Sequence, residues 1–190
     1  MKFIEELLLG KSLANICRLK LSDKNLVFYD TETTGILKDF SQILQCGSVL
    51  TDTDLNTLGE QNIGCAPLPW IIPQPMAMIT NKKIDLFNSN VSHYQMMKDL
   101  QMQWKQWSAQ NPAIFITYNG HAFDEEMVRR QFFWNLLEPY TTNTNGNGRL
   151  DLMLMIHNIA AFFSDEISMP LFEGGPCLLY TSPSPRDVEE

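Results

Sequence analysis

The sequence predicts an α/β fold, a mixed β-sheet flanked by helices, and three observations carry that prediction. Asn25–Tyr29 (NLVFY) is a short apolar, β-prone run that ends on an acid, Asp30. Two further strand-like stretches follow it across a turn-rich link, which is the pattern of a meander. After them helix and strand alternate, which calls for a sheet with helices packed on it.

Taken in order, residues 1–24 read as a partly helical lead-in in which Leu7, Leu8 and Leu9 supply packing. Ile43–Leu50 is the second predicted strand, Thr51–Asn56 a turn, and Leu58–Cys65 the third strand. Four prolines between Pro67 and Pro75 require an irregular connection. Ser92 with Gln95 forms a capping-box pattern that opens a helix, along which Met96, Leu100, Trp104 and Trp107 recur as a core-facing stripe. Ala113–Thr117 (AIFIT) is a buried strand. A helix from Phe123 to Leu137 stops near Pro139, Asn143–Gly148 is a loop, and Leu150–Phe163 is a final helix.

Composition bounds the function without naming it. The chain has 190 residues, 44% of them hydrophobic, which suits one domain with a buried core and excludes disorder. A formal charge of −8 argues against a non-specific nucleic-acid coat, though not against a nuclease, whose metal-binding carboxylates are themselves acidic. Four scattered cysteines, Cys17, Cys46, Cys65 and Cys177, form no zinc or disulfide pattern. The opening MKFIEELLLG is too acidic and its apolar run too short for a signal peptide, and no window reaches the length of a membrane span. A soluble cytoplasmic protein with no membrane partner is expected.

Chemistry concentrates in two segments. In Asp30-Thr-Glu-Thr-Thr-Gly35 a strand delivers Asp30 and Glu32 one residue apart, so both carboxylates project from one face. Two adjacent anions raise each other's pKa unless a cation stands between them, and oxygen ligands of this kind suit Mg²⁺ or Mn²⁺. The Thr33-Thr34-Gly35 turn brings hydroxyls and backbone N–H groups toward a substrate. The second segment, Ile116–Asp124 (ITYNGHAFD), runs from strand to loop and sets Asp124 at a helix start, where the helix dipole alone would favour an acid.

A strand-end DxE followed by N-x-x-x-F-D resembles the first two motifs of the DEDD superfamily of 3′→5′ exonucleases, which have a ribonuclease H-like fold. Within it the chain looks like the bacterial exodeoxyribonuclease I family. Tyr118–Tyr140, the Arg149-Leu-Asp151-Leu stretch and Ile72-Pro-Gln-Pro75 before Ile79-Thr80 carry the likeness, which runs over about residues 25–175. The resemblance implies hydrolysis of single-stranded DNA from its 3′ end by a two-metal mechanism, with Mg²⁺, or alternatively Mn²⁺, as the cofactor. It implies Asp30, Glu32 and Asp124 as catalytic metal ligands. Thr31, Glu32, Thr33, Thr34, Gly35, Asn119, His121 and Phe123 would bind the 3′-terminal nucleotide. Arg129, Arg130 and Arg149 are candidate phosphate contacts, and a plain surface role suits them equally. A single-strand-binding protein is an implied partner of the full-length enzyme. The same first motifs serve proofreading subunits and RNases, and a degenerate exonuclease fold kept as an interaction module is the reading from another class.

The superfamily's third motif supplies a His or Tyr and a last Asp four or five residues on, and no such pair follows Leu150. His157 and Asp165 have the wrong spacing, while Asp151 reads as a structural or supporting acid. His93 and His157 read as structural or exposed. Cys177–Asp187 (CLLYTSPSPRD) is similar to the translation of a transposase-type sequencing adapter, all eleven codons matching in one frame. The expectation is a partial exonuclease domain over residues 25–176, lacking its last motif-bearing helix, and a non-native tail over 177–190.

Overall fold

A computed structural model describes residues 24–162. The expectations for the lead-in, for Cys17 and for everything from residue 163 onward, including Cys177 and the adapter-like tail, lie outside the described residues.

Five strands form one mixed sheet in the order β3-β2-β1-β4-β5. β1 (Asn25–Thr33), β2 (Ile43–Thr51) and β3 (Thr57–Gly64) make the expected antiparallel meander. β1 runs on past Asp30 to Thr33, because Asp30, Thr31 and Glu32 stay paired with Gly47, Cys46 and Gln45 of β2. β4 (Ala113–Thr117) then lies parallel to β1, and β5 (Gly148–Asp151) parallel to β4.

β5 corrects the sequence reading, which gave Leu150 and Asp151 to the last helix. The four residues GRLD have no strand period of their own, and they extend because Thr117 and its neighbours offer a parallel partner. The helix follows as α4 below. A second unforeseen element is α1 (Pro75–Asn81), which opens with Pro75 in its first turn, where the missing N–H costs nothing. A 3-10 turn, Ile84–Asn88, follows.

α2 (His93–Trp107) is capped as expected by Ser92, whose Oγ accepts from the Gln95 N–H at 3.1 Å. The reciprocal arm of the capping box is not made, since Gln95 Nε2 donates to Asp99 instead. Met96, Leu100 and Trp104 are fully buried against the sheet, while Trp107 packs at the core's margin. Trp104 is the centre of the core, with its ring centroid 4.8 Å from that of Tyr29 and 5.1 Å from that of Phe115. Its indole N–H donates to Ser48 Oγ, so the polar edge is satisfied too.

α3 (Asp124–Trp134) buries Met127, Val128 and Phe132 on the same core. It stops short of Leu137 because Leu136 turns left-handed, at φ 56°, and the Leu137 N–H closes back on the Phe132 carbonyl. α4 (Leu152–Phe162) ends the described chain. Among the described residues no helix is long and apolar enough to cross a membrane.

Candidate active site

Alternation along β1 sorts its side chains. Tyr29, Thr31 and Thr33 turn into the protein, while Asp30 is exposed and Glu32 half-buried on the opposite face. The expectation that the two acids share a face follows from the pleat. The three threonines are used within the fold. Thr31 Oγ1 donates to Asp124 Oδ1, Thr33 Oγ1 to the Gly35 carbonyl at 2.8 Å, and Thr34 Oγ1 accepts from the Gln42 N–H.

The turn after the strand is held by three glutamines that sequence reasoning did not find. Gln42 bridges to Ala66 and Leu68, and its backbone pairs with Thr34. Gln74 accepts from the Ile36 N–H, donates its own N–H to the Thr34 carbonyl, and packs its side chain where a Cβ on Gly35 would stand, so a larger residue there would have to displace it. Gln131, on α3, accepts from the Ile43 N–H and from His93 Nε2. His93 is thus buried and structural, its second nitrogen facing the Asn135 amide. Asn81 completes the frame by donating to the Thr33 carbonyl at 2.8 Å.

The second segment is shaped by a buried acid. Asp151 Oδ1 accepts from the Asn119 N–H and Oδ2 from the His121 N–H, both at 3.0 Å, and Oδ1 also caps α4 at Met153 and Leu154. Burial works against charge on Asp151, but the N–H groups of His121, Leu154 and Asn119, with the His121 ring, outweigh it and hold its pKa below the usual range. Asn119 takes a left-handed φ of 57°, which asparagine tolerates. The turn continues through Gly120, where a Cβ would meet the Thr117 side chain at 2.5 Å. Phe123 packs at the margin of the core and Asp124 begins α3, 7% exposed. Besides the hydroxyl of Thr31, Asp124 Oδ1 accepts its backbone N–H at 3.2 Å.

Asp30 and Glu32 share one face at the end of β1 while Asp124 is held to Thr31 of the same strand, and the setting disfavours charge on all three. Although Asp30 is exposed as a residue, desolvation of its carboxyl by the surrounding protein raises its pKa, against the pull of the Thr31 N–H. Burial and then Asp30 raise that of Glu32, with Lys83 opposing. Asp124 is pushed up to about 6, by burial first and, with its hydrogen bonds to Thr31 opposing, by Asp30. Asp124 is turned to Thr31, and among the described residues no three carboxylate, imidazole or thiol groups converge closely enough to enclose an ion. The donor set still fits a divalent cation. The ligands are hard oxygens, and positive charge would relieve the cost that their burial imposes.

The candidate phosphate arginines all face carboxylates. Arg149 pairs with Glu125 at 3.2 Å, Arg129 with Glu126 at 3.6 Å and with the Tyr140 ring, and Arg130 with Asp39 and Glu126. The Nε2 atoms of His121 and His157 are buried with no hydrogen-bond partner.

No family model matches the chain. Exodeoxyribonuclease I of Buchnera aphidicola (from Acyrthosiphon pisum) is 29% identical over 158 residues, covering 80% of this chain and 37% of that protein. Among solved structures, a zinc-bound form of the E. coli ExoI–ssDNA complex matches at a TM-score of 0.69 and 21% identity, over 78% of this chain and 32% of that one. An ExoI/SSB-Ct complex matches at a TM-score of 0.71 and 21% identity, over 81% and 34%. The chain spans about a third of the length of the curated relatives it matches. The sheet order, the flanking helices and these similarities together give the chain a ribonuclease H-like fold, and curated proteins similar to it over about 80% of its length are exodeoxyribonucleases I.

Proposed function

We propose that the chain is a fragment of a metal-dependent 3′→5′ exonuclease that hydrolyses single-stranded DNA from its 3′ end to nucleoside monophosphates. The observation that carries this reading is the pair Asp30 and Glu32 on one face at the end of β1, with Asp124 held to the same strand end by its hydrogen bonds to Thr31. Similarity to exodeoxyribonuclease I supports it, as does the single-stranded DNA with which one structural neighbour forms its complex.

Asp30, Glu32 and Asp124 are the residues that would hold the metal, Mg²⁺ or alternatively Mn²⁺. Two bound cations would supply a nucleophilic water at neutral pH and stabilise the leaving oxygen. The chain's own part is to fix the acids. β2 pairing keeps Asp30 and Glu32 in register, Thr31 aims Asp124, and Asp151 pins the Asn119–His121 turn beside them. With Thr31, Thr33 and Thr34 committed to internal hydrogen bonds, the nucleotide is met by Glu32, by the Gly35 backbone and by Asn119, His121 and Phe123 on the facing turn. The sequence after Leu150 contributes no general base and no fourth acid, so this chain alone should show little or no turnover. A single-strand-binding protein is a proposed partner of the longer protein, since one structural neighbour is an ExoI/SSB-Ct complex.

The test separates the site from turnover. Mn²⁺ should bind the chain, as read by its electron paramagnetic resonance signal, and Asp30→Asn should weaken that binding at least about tenfold, one ligand of a hard-cation site having lost its charge. A 3′-labelled oligonucleotide should remain undigested in Mg²⁺. No Mn²⁺ binding, or binding that Asp30→Asn leaves unchanged, would count against the metal-site reading, and brisk digestion would refute the fragment reading.

A further inference from the structure

Glu125 directly follows Asp124 and has been given no role, yet at 2% exposure its carboxylate is deeply buried. It gathers donors from three elements. Oε2 accepts from the Tyr29 hydroxyl of β1 at 3.1 Å. Oε1 accepts from Thr142 Oγ1, in a 3-10 turn (Thr141–Asn143), at 2.8 Å and from Arg149 Nη1 of β5 at 3.2 Å. Its own N–H donates to the Gly120 carbonyl at 2.9 Å.

A buried carboxylate held by a half-exposed arginine is a poor device for stability alone, because well-packed apolar side chains often serve as well or better. It does, however, fix direction. Successive residues of a helix project about 100° apart around its axis. A first turn whose second residue is locked onto β1 and β5 therefore has its first residue aimed as well. Phe123 gives no side-chain cap that would do this instead.

We propose that Glu125, anchored by Arg149, is a positioning residue: it sets the rotation of the first turn of α3 and so aims Asp124 at Thr31. The metal-binding consequence rests on the exonuclease reading above; the orientation of Asp124 does not.

The experiment uses the full chain and two readouts. One is Mn²⁺ affinity; the other is hydrogen exchange at the Thr31 amide, which donates to Asp124 Oδ1. Glu125→Ala and Arg149→Met should each weaken Mn²⁺ binding by about tenfold or more, the usual scale for a supporting residue behind a ligand. Both should also speed exchange at Thr31 beyond the change in the rest of β1. Glu125→Gln keeps the shape and an acceptor, should fold, and should recover most of the affinity. A lowered Tm with Mn²⁺ affinity and Thr31 protection at wild-type values would overturn the proposal, leaving Glu125 a merely structural group. If the wild-type chain binds no Mn²⁺, or Asp124→Asn binds it equally well, the metal-site reading fails, and Thr31 protection alone decides the positioning role. Unchanged protection in the Glu125 variants then overturns it, and lost protection sustains it.

Discussion

Asp124 carries the most charge strain of the three acids. Its pKa, pushed up to about 6 from 3.8, means that the folded chain holds a proton there that the unfolded chain releases. The stability tied to that proton is complete below about pH 4 and is lost as the pH rises through 6. At about 1.4 kcal/mol per pKa unit the loss amounts to about 3 kcal/mol at most. Asp124→Asn keeps an acceptor for Thr31 and removes the charge. In urea unfolding with EDTA, the variant should be the more stable protein at pH 8, by about 1–3 kcal/mol, and the two should converge near pH 4. Mn²⁺ should then stabilise the wild type and leave the variant unmoved. A variant less stable at pH 8 would contradict the direction of the shift. The placing of Asp30 and Glu32 at a strand end and of Asp124 at a helix start was legible because each stands at the end of a local pattern. Gln42, Gln74 and Gln131 were not, since their partners lie far away in sequence and an isolated glutamine carries no period.

At the scale of elements, apolar spacing was the reliable guide. The α2 stripe, the meander and β4 stand where their periodicity put them, and Trp104 joins all of them. Trp104→Ala should therefore cost about 3–5 kcal/mol, measured by chemical denaturation, through lost transfer energy and the cavity left between α2 and the sheet. A cost under about 1 kcal/mol would mean that the core collapses around the site. β5 escaped notice because its extended form is imposed by β4, and four residues ahead of a helix read locally as more helix. α1 had a signal, Pro75 in its first turn, obscured by the three prolines before it. Asp151 was read as a structural or supporting acid, and at the junction of β5 and α4 it holds both the Asn119–His121 turn and the helix start; only its place on a helix was wrong.

For the molecule as a whole, charge is arranged to keep its arginines occupied. With a formal charge of −8, and with Arg129, Arg130 and Arg149 all facing carboxylates, the described arginines offer a phosphate backbone little free guanidinium. Binding of single-stranded DNA should be weak. The slope of log K against log salt should stay shallower than about −2, equivalent to fewer than about three phosphates neutralised at about 0.7 each. A steep slope, read by fluorescence anisotropy across a salt series, would show that the arginine pairs open on binding.

The sheet order also sets a timetable. β1, β2 and β3 follow one another in the chain and pair antiparallel across local connections, so Asp30 and Glu32 reach their common face early. β4 pairs with β1 in parallel only after the long connection through α1 and α2 has closed, and Asp124 follows β4 in the chain. A nascent chain halted before Ala113 would thus display two acids and lack the third. The third acid therefore joins the other two only once β4 has docked on β1, after the core has begun to close.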